Sequence, residues 1–124
     1  MTQQAEIVIF VRTFDLLLWL VPVTNHFPRS HRHTLTQRVL NAAFDLREHL
    51  EVANVRKGRT RLEQLQQADE ALAKLRMYLR LLHRMDWLTD GQYHHVARLL
   101  MEIGRLLGGW QKQTDSSQSG KYRA

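Results

Sequence analysis

The chain has 124 residues, 44% of them apolar, and carries 18 Lys plus Arg against 12 Asp plus Glu, a formal charge of +6. That length allows one domain with an ordinary core. The absence of cysteine excludes a disulfide framework and Cys-ligated zinc, and suits a reducing, cytoplasmic setting. Fourteen of the 18 cations are Arg, which grips phosphate bidentately where Lys acts as a point charge, so the imbalance points to a polyanionic partner.

The first predicted helix begins near Ala5 and runs toward His26. Ile7, Phe10, Phe14, Leu17 and Val21 make one stripe, and Val11 and Leu18 widen it beyond half the circumference. A helix apolar on more than one side is buried on more than one side, which predicts a subunit interface beside the core. Pro22 should kink or end it. The run Ile7 to Val23 contains Arg12, Asp15 and Pro22 and lacks the basic start of a signal peptide. It reads as a core helix, with no membrane partner expected.

His26 to His33, reading HFPRSHRH, is a basic connector into a second helix, with Ser30 or Thr34 as possible caps. That helix should reach about Asn54, burying Leu35, Val39, Ala42 or Ala43, Leu46, Leu50 and Ala53. Asp45, Glu48 and Glu51 mark its solvated side. Val55 to Arg61, VRKGRTR, places four cations around Gly58 and predicts a loop.

The third helix, from near Leu62 to near Asp86, aligns Ala68, Leu72, Leu75, Leu79 and Leu82 on one face. Beside them, Arg76, Arg80 and Arg84 recur every four residues and stack on one side. The fourth helix opens on Thr89-Asp90-Gly91-Gln92, a capping box, with Leu88 and Tyr93 placed for a hydrophobic staple. Val96, Leu99 or Leu100, Ile103, Leu106 or Leu107 and Trp110 continue its stripe. Gly104 and Gly108 share a face and predict close approach of another helix. Residues 113–124 lack an apolar period and are expected to be a disordered polar tail. The expected fold is all-α, an antiparallel up-down-up-down four-helix bundle over residues 1–112.

The strongest candidate site is the row Arg76, Arg80, Arg84, because no acid occupies positions 71–85 and unpaired like charges at this spacing cost stability. It would contact successive phosphates. Arg98, Arg105 and Lys112 lie at seven-residue spacing on the fourth helix, where Glu102 can pair with Arg98 or Arg105. Arg56, Lys57, Arg59 and Arg61 could reach a phosphate backbone or simply be solvated. Aromatics do not interleave with the cations, which favours backbone over base contacts. His31-x-His33 and His94-His95 diverge on a helix, so no metal site or other cofactor is expected. Arg76 followed by His83 formally fits the HEPN spacing of small helical ribonucleases, although Met77 stands where those proteins carry a polar residue. A purely protein-binding adaptor is a further alternative.

ADEALAKLRMYLRLLHRMDWLT followed by GQYHHVARLLMEIGRLLGGWQK, with FPRSHRHTLTQRV in the first half, resembles the accessory variability determinant proteins (Avd) of diversity-generating retroelements. The resemblance spans about residues 7 to 112 and extends to the four-helix proteins encoded in 23S rRNA intervening sequences. It implies a homopentameric, positively charged barrel of four-helix bundles without catalytic activity. It also implies binding to RNA and DNA and association with a reverse transcriptase that copies template RNA with adenine-directed errors. The family's basic surface corresponds here to Arg76 and Arg80, and less directly to Arg84.

Overall fold

The computed structural model describes residues 3–121, with side chains described for residues 6–118. Four helices form: α1 (Gln3–Thr24), α2 (Gln37–Asn54), α3 (Gly58–Arg84) and α4 (Asp90–Lys121). No strand occurs among the described residues. Each helix packs on its two neighbours in the ring α1, α2, α3, α4, and short connections reverse the chain at each step.

The core is the leucine face of α3 set against the facing stripes. Leu65, Leu72, Leu75 and Leu82 of α3 are fully buried with Val39, Leu46 and Leu50 of α2 and Val96, Ile103 and Leu107 of α4. Every core residue expected of α3 is buried, and of those expected of the second helix only Leu35 falls short, half-buried and lying just before α2. On α4 the alternatives resolve to Leu100 and Leu107, with Leu99 and Leu106 half-buried. Asp45, Glu48 and Glu51 are exposed as expected. His49 and Gln64 meet at 2.9 Å and link α2 to α3.

The α1 stripe differs from its expectation. The face that enters the core is Ile9, Thr13, Leu16 and Leu20, all fully buried, with Phe10 and Leu17 half-buried. Ile7, Phe14 and Val21 of the expected stripe are instead exposed, at 57%, 54% and 40%. The reason is that α1 is apolar around most of its circumference, so periodicity alone does not say which side faces inward. Arg47 of α2 holds α1 by donating to the Phe10 carbonyl at 2.8 Å and lying over the Phe10 and Phe14 rings. Arg12 reaches Glu102 of α4 at 2.9 Å. By length and composition α1 could also cross a membrane; in the bundle it docks through Ile9, Thr13, Leu16 and Leu20. It ends at Thr24, two residues past Pro22, in a tightened turn where Asn25 N–H donates to the Pro22 carbonyl.

Between α1 and α2 the chain winds through a 3-10 turn, Arg29–His31, and a π-helical turn, Arg32–Thr36. Neither Ser30 nor Thr34 caps α2. The helical winding already starts at Arg29, and Thr34 Oγ1 donates back to the His31 carbonyl. The α2–α3 connection is shorter than the expected loop, because α3 begins at Gly58, whose φ of +58° makes the reversal. Arg59 and Arg61 therefore stand in the first turn of α3. Arg61 donates to the Ala53 carbonyl at 2.9 Å, capping α2, and covers the Trp110 ring.

The capping box at α4 forms as expected: Gln92 N–H donates to Thr89 Oγ1 at 3.1 Å and Thr89 N–H to Gln92 Oε1 at 2.9 Å. The expected disordered tail is helical instead as far as Lys121. Trp110 and Thr114 are buried, and Gln118 packs over Gly58, so one side of these turns has a surface to lie on. Residues 122–124 lie outside the described residues.

Candidate nucleic-acid interface

Arg76 and Arg80 project from α3 onto the face of α4 that carries Tyr93, Ala97, Leu100 and Met101. Together with Leu79 these residues line a groove of about 320 Å³. Arg80 also borders a second depression with Leu81, His83, Arg84 and Tyr93, so the three arginines form a continuous edge along two turns of α3. None of the three makes an ion pair among the described residues. No carboxylate among the described residues neutralises their charge.

Arg76 is held more firmly than its exposure suggests. Its Nη2 donates to the Leu100 carbonyl at 3.3 Å and lies directly over Gly104. A Cβ at residue 104 would occupy the guanidinium's place. The close approach expected at Gly104 is therefore made by an arginine side chain, not by a helix backbone. At Gly108 nothing lies within 4 Å, so the expectation of a close approach there is corrected.

The remaining expected site residues lie elsewhere. Arg98 borders a depression with His94, His95 and Glu102, rotated about a quarter turn from the Ala97 edge of the groove. Arg105 follows two turns later on the same side. Glu102 pairs with neither, because Arg12 takes it across the α1–α4 contact; that contact, with a further hydrogen bond from Arg12 to Asp15, raises the Arg12 pKa. Arg56, Lys57 and Arg59 sit at the opposite end of α3, with Arg59 about 25 Å from Arg76 along the axis. The eight candidate cations thus occupy three places rather than one surface. No group of three metal-ligating side chains occurs among the described residues.

His83 is engaged at the end of the row. Its ring stacks face to face on Tyr93, with centroids 4.3 Å apart and planes 2° apart, and its Nε2 donates to Asp90 Oδ1 at 2.7 Å. That hydrogen bond, with the attraction of the imidazole, lowers the Asp90 pKa. Tyr93, Ala97 and Met101 are groove residues that sequence reasoning missed. Their signal was the spacing of Tyr93, Ala97, Leu100 and Gly104, which marks one face of α4 beside its buried stripe.

The arrangement offers a row of guanidinium groups anchored at Arg76, a shallow groove with an apolar floor, and stacked rings at one end. This fits a phosphate backbone better than a small substrate. No curated protein matches the chain. A solved structure, that of a protein of unknown function from the S23 ribosomal protein family of Bacteroides thetaiotaomicron, is similar to it with a TM-score of 0.79 at 17% identity. The likeness covers 87% of this chain and 98% of that one and establishes the common four-helix fold. Residues 7–114 match the bAvd-like family. The chain belongs to that family, the Avd proteins of diversity-generating retroelements.

Proposed function

We propose that this protein is a non-enzymatic accessory of a retroelement reverse transcriptase, binding template RNA and DNA through the basic edge of α3 to support mutagenic cDNA synthesis. The observation that carries this reading is the row Arg76, Arg80, Arg84, which has no ion-pair partner among the described residues and borders a groove of about 320 Å³. Membership of the bAvd-like family supports an accessory role in such a retroelement. Beside the row, Met77, Leu81 and Met85 are about two-fifths exposed, which suits contact with the polymerase as well as with its template.

Self-association into a homopentamer belongs to the same reading. Ile7, Val11, Phe14, Leu18 and Val21 alternate at four- and three-residue spacing and are 40–63% exposed, the pattern of a helix-packing seam. A ring built through α1 would multiply the arginine edges and turn weak single contacts into avidity.

The ribonuclease alternative asks Arg76 and His83 to act together. They lie about 10 Å apart along the helix axis, and each has another partner, Leu100 and Asp90 respectively.

Fluorescence anisotropy with a labelled RNA tests the proposal. Arg76→Ala with Arg80→Ala should weaken binding at least about tenfold, or 1.4 kcal/mol, for every RNA sequence tried. Undiminished affinity in the folded variant would remove the α3 row from the interface. Metal-independent cleavage of the RNA by wild type, lost in His83→Ala, would replace the accessory reading with the ribonuclease one. Absence of nucleic-acid affinity at low salt would favour the protein-binding adaptor.

A further inference from the structure

The groove beside the arginine row has walls that phosphate contacts alone leave unused. Leu79 of α3 and Ala97, Leu100 and Met101 of α4 line it, with Arg76 and Arg80 along its α3 side. Leu79 and Leu100 are buried, whereas Met101 is 63% exposed. A backbone resting only on the guanidinium groups would leave this apolar surface in water. No Asp or Glu lines the groove or the depression that adjoins it.

Tyr93 gives the groove an aromatic end. It borders both depressions and comes from α4, while the cations come from α3. The two kinds of side chain therefore meet in space although they do not interleave in the chain. His83 covers one face of the Tyr93 ring at 4.3 Å between centroids, and Asp90 holds His83 at 2.7 Å. What Tyr93 turns toward the groove is thus braced from behind. Arg76 is preordered too. It spends a donor on the Leu100 carbonyl and keeps the rest of its five N–H groups for a ligand.

The dimensions favour a single planar ring. Arg76 and Arg80 are separated by one turn, about 6 Å of rise, whereas a docking helix anchored at i, i+4 and i+7 needs about 10 Å. A volume of about 320 Å³ exceeds that of a purine.

We infer that this groove receives one unpaired base of a bound strand, with the flanking phosphates on Arg76 and Arg80, so that the site selects single-stranded over duplex nucleic acid. The base slot rests on the reading that the α3 row meets nucleic acid, and it adds which form of strand is held. A duplex keeps its bases stacked and paired, and turning one out costs unstacking and unpairing energy. Side chains of Leu, Ala and Met offer no hydrogen bond to a base edge, so the slot accepts any base. The Met101 thioether suits contact with a ring.

The test measures the affinity of the full chain, at one salt concentration, for a short single-stranded RNA, its duplex, and the same strand made abasic throughout. Wild type should bind the single strand more tightly than the duplex, although charge density alone predicts the reverse. The abasic strand should bind roughly tenfold more weakly than the strand with bases. Ala97→Leu fills the groove and should erase the difference between base-bearing and abasic strands, while Ala97→Ser should keep it. Met101→Ala, at an exposed position outside the core, should narrow it, which guards against misfolding of Ala97→Leu. Arg76→Ala with Arg80→Ala should weaken all three probes. If that double variant weakens them but wild type treats single strand, duplex and abasic strand alike, the base slot is overturned and the phosphate contacts stand. If the double variant weakens none, the reading beneath it falls as well. Tight binding of an acidic amphipathic peptide that Ala97→Leu abolishes, with RNA affinity indifferent to the same change, would give the groove to protein and overturn the inference.

Discussion

Helices α1 and α3 both leave a face uncovered, and the two faces ask for opposite partners. On α3 the buried leucines and the exposed arginines sit on adjacent stripes, with only Met77 and Leu81 as large exposed apolar side chains beside the charge. On α1 the buried line Ile9, Thr13, Leu16, Leu20 is backed by the exposed line Ile7, Val11, Phe14, Leu18, Val21, and hydrophobicity continues around the helix. The lesson is that one bundle can hold two different surfaces because each is built on a helix whose inner face is already satisfied. The α3 face suits a polyanion and the α1 face suits protein.

The sharpest break of that comparison is in the core. Leu79→Ala, on the inner face of α3 and 1% exposed, should destabilise the monomer by about 3 kcal/mol in urea unfolding. Leu18→Glu, on the outer face of α1 and 63% exposed, should leave monomer stability within about 0.5 kcal/mol but shift sedimentation toward the monomer. If Leu18→Glu sediments as wild type, the α1 seam is not the assembly surface.

The glycines of α4 offer a finer contrast. Gly108→Ala enters open space and should stabilise α4 by up to about 1 kcal/mol in thermal melts. Gly104→Ala meets the Arg76 guanidinium, so it should gain less and also weaken RNA binding by displacing Arg76. Equal stabilisation by both, with RNA affinity unchanged, would mean that the seat over Gly104 does not position the arginine.

The smallest effect expected is at the end of the row. The folded state depresses the Asp90 pKa below the ordinary carboxylate value of 3.8 through the His83 hydrogen bond. The stabilisation is thus present above the unfolded pKa and is lost as pH falls through the lower folded value. Asp90→Asn should lower the melting temperature slightly at neutral pH, and the gap to wild type should close only below about pH 4. A gap that stays constant through the acid range would show that the carboxylate charge is not what matters there.

How much of this was legible in the sequence depended on how many sides of a helix were apolar. On α3 a single leucine stripe and a run without acids located both the core and the arginine row. The Thr89–Gln92 box could be read because a cap is a local contact within four residues. On α1 the periodicity was legible but its phase was not, since several stripes were equally apolar and only packing could choose among them. Partners distant in sequence escaped altogether. Glu102 goes to Arg12, Arg76 settles over Gly104, and Arg61 caps α2, and each depends on how helices face one another. The polar segment after Thr114 is helical because it lies against the α2–α3 turn, which no local pattern records.

The central claim, that the α3 row rather than basicity at large meets the nucleic acid, is tested most directly by the salt dependence of RNA affinity. Three proteins suffice: wild type, Arg80→Ala with Arg84→Ala, and Arg56→Ala with Arg59→Ala. Both variants remove two positive charges, so net charge is held equal between them. The account predicts that the slope of log affinity against log salt falls by about 1.4 for single-stranded RNA in the α3 variant and stays near wild type in the variant at the α2–α3 turn. Equal flattening in the two variants, or flattening only in the second, would contradict it.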